Sequence, residues 1–199
     1  NPTKSLSQHY VGKRLGEIWG YQVEGLFKTD AEAAEYQAKI NDRAVNNSVY
    51  SCGVAALAKL KAGDVKFVDR NGDGVISTGD NTVGKPGDRY IIGNSLPRYT
   101  YSFRGDIDWY GFNLSVFFQG IGHCDWMPPK NCSYFWGLYG FPASSFVPTD
   151  FESKTWTEDR RNAYFPRRRG YSTYSGAALG VNTDRYLQNA AYIRLKNIT

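Results

Sequence analysis

The chain of 199 residues has one methionine, two histidines and three cysteines, and it contains no long apolar run. A helical membrane protein is excluded, because a membrane-spanning helix needs about 20 consecutive apolar residues. Residues 1–15 lack the apolar segment of a secretory signal peptide. The first residue is Asn rather than Met, so we expect the chain to be a piece of a longer product.

In contrast to methionine, histidine and cysteine, aromatic residues are abundant in this chain. The chain has 5 Trp, 15 Tyr and 11 Phe, although its net charge is +5 and its mean hydropathy is −0.51. Disordered chains are poor in aromatic residues, so this composition indicates a folded chain. The length is that of about one domain or of part of one.

The cysteines and a basic run leave two questions open. Cys124 and Cys132 either form one disulfide that closes a short loop or are free thiols, and with Cys52 they match no zinc spacing. The run Arg167–Arg169 has no recognisable nucleic-acid-binding motif beside it. We interpret this run as a solvated loop and expect no nucleic-acid partner.

The clearest periodic pattern is an alternation of apolar and polar residues from Tyr99 to Trp109. A second alternating segment, Phe112–Gln119, follows after Tyr110-Gly111, and the two segments predict a hairpin with a two-residue turn. On the longer strand, the apolar face would carry Tyr99, Tyr101, Phe103, Gly105, Ile107 and Trp109, and the polar face Thr100, Ser102, Arg104, Asp106 and Asp108.

Two further strands are predicted at Trp19–Phe27 and from Tyr192 to Thr199. Two long connections, roughly residues 28–97 and 120–190, lie between the predicted strands. The first connection includes a predicted helix, Thr29–Ile40, with Thr29 or Asp30 as its cap.

A strand with one apolar and one charged face needs an apolar medium on one side, which is either a protein core or lipid. Strands of about ten residues with aromatic ends, joined alternately by short turns and long loops, are typical of transmembrane β-barrels. A soluble sandwich stays the alternative. The favoured interpretation is an all-β segment of a large transmembrane β-barrel, with about four antiparallel strands, a periplasmic Tyr110-Gly111 turn and two extracellular loops.

The segment from Asp69 to Asp80 is typical of a calcium-binding loop of the EF-hand type. Oxygen ligands would come from Asp69, Asn71, Asp73 and Asp80, and from the backbone carbonyl of Val75. Hard cations prefer six to eight oxygen ligands, and Gly at the sixth position permits the sharp turn. We expect a structural Ca²⁺ ion here, and a metal-free turn held by Asx hydrogen bonds is the alternative.

Other candidate sites are weaker. Asp106 and Asp108 share one strand face, which would suit paired carboxylates of a glycosidase, but the favoured interpretation is that they are polar residues facing a wet lumen. We identify no catalytic residues and expect no enzyme. The second connection contains aromatic residues that could stack on sugars, pack the loop or cover a partner: Trp126, Tyr134, Phe135, Trp136 and Tyr139.

Several blocks together resemble the late-barrel region of SusC/RagA-type TonB-dependent outer-membrane transporters. These blocks are Gly16–Phe27, Ala62–Ile76, Ile92–Tyr101, Gly111–Gly120 and Asp184–Thr199. They occur in the order and spacing of that family. The two long connections match less closely.

The resemblance implies a single-chain barrel of about 22 strands, of which residues 1–199 would form a C-terminal part. It also implies import of oligosaccharides or peptides through the Gram-negative outer membrane without covalent chemistry. The implied partners are a SusD-like lipoprotein, the TonB complex, the lipid bilayer and the remainder of the same barrel. We expect the plug domain and TonB box outside this chain. The alternative is a secreted β-rich carbohydrate-binding or glycan-degrading module with a calcium loop.

Overall fold

The computed structural model describes residues 4–42, 45, 59–140, 146–168 and 178–198. Cys52 and Arg169 lie outside the described residues. The regular elements of these ranges are β1 (Glu17–Tyr21), β2 (Val23–Leu26), α1 (Asp30–Lys39), β3 (Val65–Phe67), β4 (Arg89–Asn94), β5 (Thr100–Trp109), β6 (Phe112–Ile121), β7 (Asp125–Trp126), α2 (Ser133–Trp136), α3 (Phe151–Lys154), β8 (Gln188–Asn189) and β9 (Tyr192–Ile198), with 3-10 turns at Gly137–Tyr139 and Asp184–Tyr186.

Antiparallel pairing arranges the strands as the pairs β1–β4, β2–β3 and β7–β8 and as one three-stranded sheet, β5–β6–β9. Strands predominate and the helices are short, so the predicted all-β class is confirmed. Within the described ranges, no helix is long and apolar enough to cross a membrane.

The predicted hairpin is confirmed as β5 and β6, which pair without interruption from Thr100↔Ile121 to Trp109↔Phe112. Tyr110 and Gly111 form the turn with φ values of +44° and +87°. Positive φ at both central residues is what a type I′ turn requires, and this turn matches the right-handed twist of the two strands.

The third strand, β9, pairs with β6 through a bulge. Phe118 pairs with Leu195 and Phe117 with Asn197, so Lys196 is the extra residue. Because a bulge shifts the alternation by one residue, Leu195 and Ile198 both lie on the face that carries Phe118. The bulge therefore keeps one face of the sheet apolar across all three strands.

The first predicted strand, Trp19–Phe27, is divided into β1 and β2 by Gln22, whose carbonyl accepts a hydrogen bond from the backbone N–H of Val68. The two strands pair with β4 and β3, which both lie inside the predicted connection 28–97. This connection is therefore not a plain loop. Connection 120–190 likewise contains short helices and the β7–β8 pair. The patterns missed these elements because strands of two to six residues carry little periodicity.

Helix α1 confirms the predicted helix and selects Thr29 as its cap. The Thr29 side chain accepts a hydrogen bond from the backbone N–H of Glu32 at 3.2 Å, and the Glu32 carboxylate accepts one from the backbone N–H of Lys28 at 2.8 Å. The first bond is half of a capping box, and the second differs from that motif because the carboxylate binds the N–H of the residue before the cap. The hydrogen bond from the Lys28 N–H holds the pKa of Glu32 below its ordinary value.

The two long connections share one hydrophobic core, which we call the loop core. Residues from the first connection contribute to it, and so do residues far along the second: Val65, Phe67, Ile76, Trp136, Tyr139, Phe151, Phe165, Leu179 and Tyr186. Tyr139 is buried there and donates a hydrogen bond to the carbonyl of Pro166. Burial raises the pKa of Tyr139 to about 12, so the phenol keeps its proton. The connections thus fold together as one packed body.

Polar contacts join the two connections beside this core. Arg167 reaches Asp64 with two hydrogen bonds of 2.7 and 3.0 Å, and its backbone N–H donates to the carbonyl of Gly63 at 2.8 Å. Gly63 has a φ of +84°, and a Cβ there would lie only 2.4 Å from the Trp156 ring. Glycine is required here because both the backbone conformation and the ring exclude a side chain.

Candidate functional site

The β5–β6–β9 sheet has one apolar face that remains exposed. Phe103 and Ile107 are each 60% exposed, and Trp109 is 66% exposed. A Cβ on Gly105 would contact Val116 and Phe103, which places the three on one face. By register, the remaining members of this apolar face are Tyr101, Phe112, Leu114, Phe118, Ile193, Leu195 and Ile198. A contiguous apolar surface of this kind marks a membrane or protein contact.

Aromatic side chains border the apolar face at both ends. At the end remote from the turn, the Tyr99 ring covers Gly122 and the Tyr101 ring covers Gly120. At the turn, Trp109 packs edge to face against Tyr110 with ring centroids 5.5 Å apart. Ten residues of strand tilted by about 40° span about 25 Å. The aromatic rings are thus spaced as the two interfacial belts of a membrane barrel are.

The opposite face of the sheet is mainly polar. Arg104 donates hydrogen bonds to Asp106 at 3.0 and 3.1 Å, and both side chains are exposed. Asp108 pairs across the strands with Asn113. Because Asp106 is engaged by Arg104, the sequence pattern of Asp106 and Asp108 gains no support as a catalytic carboxylate pair.

The predicted calcium-binding segment from Asp69 to Asp80 is called the acidic loop below. Three of its predicted ligands accept hydrogen bonds from backbone N–H groups. The Asp69 carboxylate accepts hydrogen bonds from the N–H groups of Gly72 and Gly74 at 2.7 and 2.8 Å. The side chains of Asn71 and Asp73 each accept one from the N–H group two residues onward, at 3.0 and 2.8 Å. These Asx turns gather three ligands along one tight turn.

The remaining carboxylate of the predicted set belongs to Asp80, which has a lysine neighbour. Asp80 is 3.4 Å from the Lys85 ammonium, and both side chains are exposed. Among the described residues, no three side chains of His, Cys, Asp or Glu form a group that could hold a metal ion. The arrangement fits the predicted calcium site only in part, and calcium binding stays a prediction.

Asp88 was not singled out from the sequence, yet it anchors this loop. Its carboxylate is fully buried and accepts hydrogen bonds from the backbone N–H groups of Arg70 and Ser77, at 2.9 and 2.8 Å. It therefore ties the two sides of the acidic loop together. A buried carboxylate needs such donors, but an aspartate eleven residues beyond Ser77 carries no local sign of this role.

The aromatic residues predicted in the second connection have different positions. Trp136 and Tyr139 are buried in the loop core, whereas Trp126 and Tyr134 are exposed. A cleft of about 360 Å³ beside this core is lined by exposed and buried rings together with a few polar side chains: Tyr134, Phe135, Pro148, Asp150, Phe151, Lys154, Tyr164, Phe165 and Gln188. Packing in the loop core therefore explains Trp136 and Tyr139. Tyr134 and Phe135 instead line a cleft large enough for a small ligand.

The two open questions of the sequence are partly answered. Cys124 and Cys132 are both free thiols. In the basic run, Arg167 is paired with Asp64, which is buried, and Arg168 lies 3.0 Å from Glu152 at the surface. Arg167 therefore has a structural role in joining the two connections, which the sequence did not indicate.

Comparison with known proteins finds three similar receptors from Formosa agariphila. The chain is 24% identical over 190 residues to TonB-dependent receptor P3, which covers 94% of this chain. It is 29% identical over 124 residues to TonB-dependent receptor P39 and 24% identical over 136 residues to TonB-dependent receptor P26. The chain spans 15%, 11% and 12% of the lengths of these relatives. No family model matches the chain.

The similarity supports a relationship to TonB-dependent receptors. The three-stranded sheet with its exposed apolar face fits a fragment of a barrel wall. The predicted fold class is thereby supported by both the strands and the relatives.

Proposed function

We propose that this chain is a C-terminal part of the barrel of a SusC/RagA-type TonB-dependent importer in the Gram-negative outer membrane. The observation that carries the proposal is the β5–β6–β9 sheet, whose apolar face is exposed and bordered by aromatic rings. Lipid provides the medium that such a face needs, and the polar face with Arg104 and Asp106 then lines a wet lumen.

In this orientation the Tyr110-Gly111 turn is periplasmic, and the loop core stands on the extracellular side. The imported molecules are oligosaccharides or peptides. The aromatic cleft beside Tyr134 supports this part of the proposal, because its volume and its mixture of rings and polar groups suit a small organic ligand. A SusD-like lipoprotein captures the substrate at the mouth. The TonB complex acts through an N-terminal region outside this chain.

Uptake by the complete receptor tests the proposal. Cells that carry the receptor should accumulate a labelled oligosaccharide or peptide substrate, and removal of TonB should abolish the accumulation while leaving the receptor in the outer membrane. The lipoprotein should co-purify with the receptor. A receptor that fractionates as a soluble protein without detergent would contradict the membrane assignment and favour a secreted carbohydrate-binding module.

Calcium at the acidic loop is a second part of the proposal. Asp69, Asn71, Asp73 and the Val75 carbonyl would hold the ion together with Asp80, which first has to leave Lys85. The ion would stiffen the loop and take no part in chemistry. The gathering of three ligands along one turn supports this.

Calorimetric titration of the receptor with Ca²⁺ checks this prediction. We expect saturable binding that Asp69→Asn abolishes, because that change removes a charged ligand. Lys85→Gln should tighten binding, since it frees Asp80 and removes a repelling charge. Asp159→Asn, at an exposed position outside the loop, is the control. If both the unchanged receptor and the Lys85→Gln variant give no heat, the loop is a metal-free turn.

A further inference from the structure

A cleft of about 570 Å³ lies at the end of the β5–β6 pair that is remote from the turn. There the backbone N–H of Arg98 donates to the carbonyl of His123, and that of Gly122 donates to the carbonyl of Tyr99. These bonds carry the hairpin beyond Thr100 into one wall of the cleft. The segment from Arg14 to Glu17 and part of β4 line it as well.

The carboxylates of this cleft already have donors. Glu17 accepts hydrogen bonds from the Tyr10 hydroxyl and from the backbone N–H of Arg14, both at 2.8 Å. Asp125 accepts one from the backbone N–H of Asn94 at 2.9 Å. The His123 imidazole lies 3.5 Å from the Asp125 carboxylate. The acidic groups are therefore satisfied from within the protein.

The two arginines that line the cleft differ from its carboxylates. Arg14 and Arg98 are exposed, and within the described part of the chain neither guanidinium forms an ion pair. A guanidinium offers a planar set of five N–H donors that matches a carboxylate, sulfate or phosphate group. Apolar side chains, Ile91, Leu96 and Pro97, line the same cleft and supply contact area for the rest of a ligand.

We propose that this cleft binds the anionic group, a carboxylate or a sulfate, of an oligomer that the receptor imports, with Arg14 and Arg98 as the binding side chains. The inference rests on the proposed function, which places this end of the sheet at the extracellular mouth. The receptor then favours acidic oligomers over neutral ones.

The test uses the complete receptor in neutral detergent and the fluorescent dye pyrene trisulfonate as an anionic probe. Binding is followed by fluorescence anisotropy. The double variant Arg14→Gln/Arg98→Gln should weaken dye binding by at least about tenfold, because charge-assisted hydrogen bonds are lost. Arg161→Gln, an exposed arginine outside the cleft, should stay within about twofold. Sodium sulfate should displace the dye.

Equal dye affinity of the double variant and the unchanged receptor would overturn the site. Displacement of the dye by lipopolysaccharide but not by a sulfated oligosaccharide would assign the cleft to a lipid headgroup and overturn the assignment to cargo. Heat-modifiable migration in electrophoresis reports barrel folding separately. A folded receptor that binds no dye therefore contradicts this site alone and leaves the proposed barrel intact.

Discussion

Replacing Val116 by arginine should severely impair insertion of this barrel segment into a bilayer. Val116 lies halfway along β6, opposite Gly105, and its register partner on β9 is Ile198. All three positions belong to the apolar face. A charged side chain on the lipid face costs about 2–4 kcal/mol at the middle of the bilayer, and less near the interfaces. The folding equilibrium in lipid vesicles should therefore shift by about 30-fold or more.

The matched control is Ser115→Arg, which places the same side chain at the same depth on the polar face. Ser115 pairs with Asp106, so the added charge has an acidic neighbour. Urea titrations of the receptor in phosphatidylcholine vesicles measure both variants. Val116→Arg should lose stability and Ser115→Arg should stay close to the unchanged protein. Equal losses would show that the two faces do not differ in their contact with lipid.

The second large effect is expected from Arg167→Ala. Arg167 is the bidentate partner of Asp64, whose side chain is only 2% exposed, and the two residues belong to different connections. Removing one partner of a buried ion pair leaves an uncompensated charge and costs about 3 kcal/mol. The neighbouring pair, Arg168 with Glu152, is exposed on both sides, so Arg168→Ala should cost less than about 1 kcal/mol.

Hydrogen exchange of the intact receptor, read by mass spectrometry, measures this difference locally. In Arg167→Ala, amides of β3 around Val65 should exchange about 100-fold faster, because opening of the loop core becomes easier. In Arg168→Ala, the same amides should change by less than about fivefold. Amides of β5 and β6 should be unaffected in both variants. Equal exchange of the β3 amides in the two variants would mean that the connections do not depend on the buried pair.

The β5–β6 hairpin was predictable because all of its determinants are local. Alternation over ten residues sets its faces, and Tyr110-Gly111 sets its turn. Helix α1, with a cap at Thr29 or Asp30, was predictable for the same reason, and the structure selects Thr29. The bulge at Lys196 was not, since it depends on the register with β6 rather than on the sequence of β9 alone.

The loop core and its anchors were not predictable from patterns. Arg167 and Asp64 are 103 residues apart, and nothing near either residue indicates the other. The second connection has no dominant period, so its sequence does not distinguish the buried Trp136 from the exposed Tyr134. In the acidic loop, spacing predicts Asp80 as a calcium ligand, and its contact with Lys85 could not be read from that spacing.

The most direct test of the membrane-facing sheet is the environment of single cysteines along β5. The native cysteines of the complete receptor are replaced by serine, and one spin label at a time is introduced before the receptor is placed in vesicles. The labelled positions are Ser102, Phe103, Arg104, Asp106 and Ile107. We predict a period of two. Labels at Phe103 and Ile107 should collide with oxygen dissolved in lipid, and those at Ser102, Arg104 and Asp106 with a water-soluble nickel complex. Equal access of the nickel complex to both sets would contradict the assignment of the apolar face to lipid.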